Sequence, residues 1–586
     1  MGKADKVRCF LLLSPLRFVR QRAQVPSRRR SRLKSENHLL AGSKTTPSPR
    51  GFAGLRLVSL LTLVSRILGL VRDMAMASLF GNGAILDAFT VALRVPNLAR
   101  RLFGEGALTA AFLPVFVREL ERTGRESAWK LASAVLNLLA VALCITVVVG
   151  ELLLWGIGQL LPAGGDGQLL LGLTAVMLPY LLLICLAAQI SAILHSLRHF
   201  TAPAFSPVLL NLVWIVAVLA IAPRYATATE QIYVVAACVI VGGLLQVTAL
   251  VPTLFRHGFR YTAGWTRSHS QLREIVQAML PVIVGLSITQ INTLSDSVIA
   301  WSFSLPEAAT SAEANGIQFL ESGTASALFF GQRMYQFPLG MIGVALGTVL
   351  FPLLARHAER GRLDLLRGDL ERGLRLMISI GLPASAGLIL LAAPITSLLF
   401  QRGAFDAKDA AQTTAMISAY ASGVWAYCGL LIVHRGYYAA GDRQTPLRIG
   451  LWTVLLNLAL NFALLWPLGG TGLALATSLS AMIQVVAATW LIQRRIGRFD
   501  WRGLAGVIAR TVVATSAMSA VCWWTLGRFV DGDGLFPRIL QVTVPLLAAI
   551  VVYFSMAWLL GLKEFWFLFR GDASHPDDSD TPASSV

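Results

Sequence analysis

The chain has 586 residues, is 55% hydrophobic and only 14% charged, and has a mean hydropathy of +0.65, which excludes a soluble multidomain protein of this length. Its formal net charge of +19 would suit a nucleic-acid binder, but residues 1–50 hold thirteen Lys and Arg against Asp5 and Glu36 and so supply most of the excess. The remainder is ordinary for a membrane protein with basic cytoplasmic loops, and no nucleic-acid partner is expected.

In chain order, residues 1–54 form a basic leader rich in Ser and Arg, with Arg17, Arg28, Arg29 and Arg30 among its cations. Its composition is shared by disordered basic arms and organelle transit peptides, and it is read here as a disordered cytoplasmic extension. Fourteen apolar runs follow, each long enough to cross a hydrocarbon core of roughly 30 Å as a helix. They cover 55–79, 86–117, 129–161, 168–195, 204–222, 232–255, 272–303, 325–354, 374–400, 411–440, 447–466, 470–492, 504–527 and 537–561. The tail, 563–586, is acidic and polar and reads as disordered. Six single cysteines (Cys9, Cys144, Cys185, Cys238, Cys428, Cys522) have no metal-type spacing and predict no disulfide framework.

Alternate connections between these runs differ in charge. One set carries Arg118, Arg122, Arg125 and Lys130, then Arg198, then Arg256 and Arg260, then Arg356 to Arg375, then Arg443 and Arg448, then Arg494 to Arg502. The other set is nearly bare, with Arg224, Arg402, Lys408, Arg528 and Arg538 as exceptions. The positive-inside rule makes the basic set cytoplasmic, puts both termini inside and requires an even number of spans, which agrees with fourteen.

An internal repeat runs at an offset of about 240 residues. Arg94, Pro114 and Arg118 match Arg333, Pro352 and Arg356, and Leu209-Leu210-Asn211 matches Leu455-Leu456-Asn457. The expected architecture is an all-α integral membrane protein with 14 transmembrane helices: two pseudo-symmetric six-helix lobes, 55–256 and 257–495, around a central cavity, plus two extra C-terminal helices in 496–562.

The first two runs are dense in ionisable groups: Arg66, Arg72, Asp73, Asp87, Arg94, Arg100, Arg101 and Glu105. Each charge near a bilayer centre costs at least about 2.5–3.5 kcal/mol on insertion scales, so these groups face water or one another. Heptad spacing puts Arg66 with Asp73, and Asp87 with Arg94 and Arg101. Interhelical pairing, such as Arg66 with Asp73 or Asp87, is the structural alternative. Five arginines against three carboxylates, with Arg333 adding a further cation, instead predict a site for an anion, and the guanidinium fork suits phosphate. Prolines and glycines such as Pro96, Pro338, Gly104, Gly106 and Gly340 predict bends in these spans.

Ser65-Arg66-Ile67-Leu68-Gly69-Leu70-Val71-Arg72-Asp73, then Asp87-Ala88-Phe89, Arg94-Val95-Pro96-Asn97-Leu98, Arg100-Arg101 and Glu105-Gly106-Ala107, closely resemble the opening of the MurJ (MviN) family of lipid II flippases. The resemblance continues through Pro203-Ala204-Phe205-Ser206-Pro207, Gln332-Arg333 and Phe337-Pro338-Leu339-Gly340, and covers 55 to 562 in order. It implies a non-enzymatic transporter of the multidrug/oligosaccharidyl-lipid/polysaccharide exporter superfamily in the bacterial cytoplasmic membrane. Its cargo would be the undecaprenyl-diphosphate-linked peptidoglycan precursor, moved from inner to outer leaflet by alternating access. Head-group contacts are expected at Arg66, Arg72, Arg100, Arg333 and Arg94, with Ser65, Asp87 and Asn97 beside them. The resemblance favours Arg100 where the heptad favours Arg101. It also maps a sodium site of some members onto Asp296, Asn457, Asn461 and Thr477, although Asn461 replaces an expected acid. No cofactor is expected, and sodium or proton coupling is left open. The expected partners are lipid II, membrane lipids and the cell-wall synthesis machinery around a monomer. The rival readings are a flippase for another isoprenoid-linked oligosaccharide and a drug/cation antiporter, the latter needing carboxylates where this chain has arginines.

Overall fold

The computed structural model describes residues 49–104, 106–162, 165–263, 269–305, 319–528, 534–562 and 564. The basic leader up to residue 48, Glu105 and the tail beyond 564 lie outside the described residues. Two compact units divide the chain, 1–57 and 58–586; the described part of the first, 49–57, is helical, and the rest of this section concerns the second, the body.

Among the described residues the sole β pairing is an isolated bridge between Ser304 and Leu320, so the fold is all-α. The helices are α1 (Pro49–Phe80), α2 (Ala84–Ala99), α3 (Ala107–Arg122), α4 (Arg125–Gly158), α5 (Asp166–Met177), α6 (Tyr180–Ser196), α7 (Thr201–Val216), α8 (Ala228–Arg256), α9 (His269–Ser302), α10 (Thr324–Pro338), α11 (Val344–Glu359), α12 (Leu363–Leu390), α13 (Ala392–Leu399), α14 (Ala407–Ala421), α15 (Val424–Ala439), α16 (Gln444–Leu468), α17 (Gly470–Ile496), α18 (Trp501–Leu526) and α19 (Leu535–Leu559).

Among the described residues eleven helical stretches are long and apolar enough to cross a membrane. Three further helical stretches, α1, α2–α3 and α10–α11, carry the polar groups singled out above. Every 18-residue window of α1 from Arg56 onward contains Arg66, Arg72 and Asp73; α2 holds Asp87 and Arg94 and runs on into Arg100 and Arg101; α10 holds Gln332, Arg333 and Gln336.

Two of those stretches are interrupted alike. α2 and α3 are separated by a wide π turn at Arg100–Gly104, and α10 and α11 by another at Leu339–Gly343. The turns stand 239 residues apart, as do Arg94 and Arg333, so the sequence repeat is also a repeat of backbone geometry. The cause is local: Pro96 lies inside α2 and Pro338 closes α10, and each removes an amide from the i to i−4 ladder just before the turn.

Buried apolar side chains of the body fall into four clusters. The first is built mainly from α1 to α8, around Phe89, Phe112, Phe116, Trp129 and Tyr180. The second is built from α11, α12, α15, α16 and α17, around Leu370, Ile432 and Tyr437. A third, smaller cluster joins Val91 of α2 to Ile299, Leu328, Tyr420 and Leu473. The fourth holds α18 and α19 together and packs them on Leu391.

Polar contacts fasten this last pair at both ends. Arg538 at the start of α19 donates from Nη1 to the carbonyls of Ser397 (3.3 Å) and Gln401 (2.8 Å), and the Arg402 guanidinium donates to the carbonyl of Leu398. Two cations of the otherwise bare connections thus satisfy the carbonyls at the end of α13. At the opposite end Asp500 caps α18, accepting from the Gly503 amide (2.9 Å) and from Arg375 Nη2 (3.0 Å), while its own amide donates to Glu371 (3.2 Å). The Gly503 N–H, and then the nearby Arg375 guanidinium, hold the Asp500 carboxyl below its ordinary range. A depressed native value adds stability that is complete above the unfolded pKa of about 3.9 and is lost as pH falls through the native value. Asp500→Ala is therefore expected to melt below the parent chain at pH 6 to 7, with the gap closing below about pH 4, read as thermal unfolding in detergent.

Candidate functional site

The cationic site is built on α1, α2 and α10, with α7 behind it. Arg72 is buried and fully engaged: Nε and Nη2 donate to Asp73 Oδ1 (3.0 and 2.7 Å), Nη1 donates to Asn211 Oδ1 (3.1 Å), and the guanidinium lies 4.4 Å from the Trp214 ring centroid. Asn211 in turn donates from Nδ2 to the Ser65 carbonyl at 3.0 Å, tying α7 to the turn of α1 that carries Arg66. Asp73 is shared, since its Oδ2 lies 3.2 Å from Arg333 Nε.

Arg333 and Arg94 both lie over Phe329, at 5.0 and 5.6 Å from its centroid. Arg94 Nη2 donates to Gln332 Oε1 (2.8 Å), and Gln332 Nε2 donates to Tyr420 Oη (3.2 Å). The partner of Arg94 is thus neutral, and its buried Nε has no acceptor. Arg66 is exposed and lies against Gly340, where an added Cβ would be 3.7 Å from its Nη1. Arg100 is half-buried, while Arg101 is exposed and donates to Gln290 Oε1 of α9 at 3.1 Å. The wide turn that begins at Arg100 shifts the helical phase, which is why heptad counting from Arg94 and the family motif disagree about these two arginines. Asn97 is half-buried in the last turn of α2.

Among the described residues the acids do not balance these cations. Asp73 serves Arg72 and Arg333 together, and neither Asp73 nor Asp87 pairs with Arg66. Asp87 is engaged elsewhere: buried in α2, it accepts from the amides of Gly323 (2.9 Å) and Ser326 (2.6 Å), capping the N-terminus of α10 from another helix. Asn82 adds to this seam, its amide donating to Asp409 Oδ2 (2.9 Å) and its Nδ2 to Thr413 Oγ1 (3.0 Å), and the Ala404 amide donates to the Ser78 carbonyl (2.8 Å). Gly323 is required there: its φ is +87°, and a Cβ would stand 2.5 Å from the Asn82 carbonyl oxygen. At the far end the same bundles meet through α3 and α9, where Arg118 Nη2 lies 2.6 Å from Glu274.

The second predicted group also assembles. Asp296 of α9, Asn457 and Asn461 of α16 and Thr477 of α17 meet, with the first three at most 1% exposed. Asp296 Oδ1 accepts from Asn461 Nδ2 (2.7 Å), and Oδ2 accepts from Thr477 Oγ1 (2.9 Å).

A family model described as lipid II flippase MurJ matches residues 76–540. A probable lipid II flippase MurJ of Vibrio cholerae is 32% identical over 86% of this chain and 95% of its own, and one of Haemophilus influenzae is 31% identical over 87% of this chain and 100% of its own. The chain belongs to the MurJ family. Among solved structures, a lipid II flippase MurJ in an inward closed conformation shares the fold with a TM-score of 0.69 at 23% identity, over 87% of this chain and 99% of that one. An inward-facing multidrug resistance transporter of the MATE family follows with a TM-score of 0.61 at 12% identity, over 75% of this chain and 97% of that one.

Sequence reasoning from the MurJ pattern did not single out several residues that build the site. Asn211 appeared only as part of the repeat, and Trp214, Phe329 and Tyr420 not at all; a lone Asn within an apolar run was the one available signal, since aromatic residues are too common in membrane helices to stand out. At the positions onto which the sodium pattern of some MurJ members maps, the single carboxylate accepts one hydrogen bond at each oxygen, from Asn461 and from Thr477.

The buried Asp87 latch yields a stability prediction. Charge-assisted hydrogen bonds are worth about 1.5–3 kcal/mol each when buried, and an amide in place of the carboxylate can accept with only one of its atoms. Asp87→Asn is expected to lower the thermal midpoint of the detergent-purified protein and to raise the labelling rate of a cysteine placed at Ser326. An unchanged midpoint and rate would remove the latch from the account.

Proposed function

We propose that this protein moves lipid II from the inner to the outer leaflet of the bacterial cytoplasmic membrane. The observation that carries the reading is the excess of guanidinium groups over carboxylates on α1, α2 and α10, in a chain of the MurJ family. A diphosphate supplies the missing anion: it presents several oxygens to Arg66, Arg94, Arg100 and Arg333 and competes with Asp73 for Arg333, while Arg72, locked by Asp73, Asn211 and Trp214, shapes the wall with Ser65 and Asn97. Asp87 keeps the α1–α2 end closed while the head group loads from the other side.

In this reading the eleven apolar stretches and the three charged ones (α1, α2–α3 and α10–α11) make fourteen spans with both termini cytoplasmic. Residues 55–256 and 257–495 act as two six-helix lobes about a central cavity, with the pair in 496–562 outside them. The matched wide turns support this pseudo-symmetry and give each lobe a bend at an equivalent place. The isoprenoid chain stays in lipid or beside the extra helices, where a hollow of about 520 Å³ lies between Leu382 and Ile389 of α12, Trp425 of α15 and Val512 of α18. Transport needs no covalent step; the protein acts as a monomer alongside the cell-wall synthesis machinery.

The test is lipid II exposure to an outside probe in cells depleted of this protein and lacking a redundant flippase. Exposure is expected to collapse on depletion and to return with the parent gene. Arg333→Ala removes one charge-assisted contact of about 1.5–3 kcal/mol, so the rate it restores is expected to be at least tenfold lower. Normal exposure without the protein excludes the reading, and accumulation of a different isoprenoid-linked oligosaccharide on the inner leaflet would reassign the cargo.

A further inference from the structure

The Asp296 group has the residue positions of a cation site but the hydrogen-bond polarity of something else. A hard cation needs oxygen lone pairs directed at one point, and anionic oxygens dominate its affinity. Here each oxygen of the single carboxylate already accepts a hydrogen bond from a protein donor: Asn461 Nδ2 at 2.7 Å from Oδ1 and Thr477 Oγ1 at 2.9 Å from Oδ2. The Asn461 amide cannot face the other way without bringing its oxygen to within 2.7 Å of a carboxylate oxygen, so its positive N–H end faces the Asp296 carboxylate. Asn461 Oδ1 is buried with no partner, pointing away from Asp296.

The position of the group in the fold suggests what it does. α9 joins both bundles: Asp296 binds α16 and α17, while Gln290, which accepts from Arg101, and Glu274, which pairs with Arg118, reach the first bundle. Leu286 lies so close to Gly106 that an added Cβ would stand 2.2 Å from its Cδ1. α9 is therefore tied to the second bundle by buried hydrogen bonds at Asp296, and it meets the first bundle through exposed polar contacts and the buried side chains of Leu272 and Ile275.

We propose that the Asp296–Asn457–Asn461–Thr477 group of this protein is an ion-free clamp that anchors α9 to the second bundle, and not a sodium site. Asn461 is the residue that decides it: the amide supplies the positive group that an ion would otherwise provide. The test does not use transport, so its result stands whatever the cargo. Full-length protein in detergent is melted in sodium chloride and in potassium chloride at equal ionic strength, and saturable binding of radioactive sodium is measured alongside. The parent chain is expected to give midpoints within about 1 °C of each other and no saturable binding, whereas Asn461→Asp gains a sodium-specific rise in midpoint. Asp296→Ala is expected to melt lower by the same amount in both salts. Sodium-specific stabilisation of the parent, an Asn461→Asp variant indifferent to sodium, or an Asp296→Ala variant that melts with the parent would each overturn the proposal.

Discussion

A guanidinium group cannot shed its charge, and inside a membrane protein it must be solvated by something. The body is arranged around that constraint. Arg72 illustrates a complete solution: a carboxylate, an amide oxygen and an indole face surround it, drawn from α1 and α7. Arg94 is solvated only in part, by a neutral amide and an aromatic ring, and Arg66 stands open beside Gly340. α1 answers the constraint with two faces, Arg72 turned inward among buried groups and Leu60, Leu63 and Ile67 exposed.

The seam between the bundles is unequal along its length. At the α1–α2 end a buried carboxylate, main-chain amides and a left-handed glycine interlock, and separating them would strand polar groups away from water. At the α3–α9 end the Arg118–Glu274 pair is about half exposed, and pairs of that kind contribute about 0–1 kcal/mol. Buried Leu272 and Ile275 of α9 add an apolar contact with the first cluster at this end.

Much of this was readable in the sequence. The apolar runs, the surplus of arginine over carboxylate and the bends at Pro96 and Pro338 follow from composition and local chemistry, and the repeat at an offset near 240 residues returns as matched wide turns. What escaped was long-range. Heptad counting assumes 3.6 residues per turn, and the π turn at Arg100 breaks that assumption at the residue where the answer was wanted. Asp87 looked like part of the cationic group because it shares a helix with Arg94, but its carboxylate points at the start of α10, 236 residues away. Arg402 and Arg538 looked like exceptions to a charge rule and are caps on the end of α13, a role visible only once that end and α19 are seen side by side.

The Asp87 latch has a consequence for how this seam can evolve. One half of it is a side chain and the other half is peptide backbone, so the amides at Gly323 and Ser326 would be present with almost any residue in those places. Substitutions on the two sides of this contact have no chemical reason to track each other through descent. A method that infers proximity from correlated changes between positions would pass over the tightest closure in the molecule, while one that weighs the steric demand on Gly323 would find it.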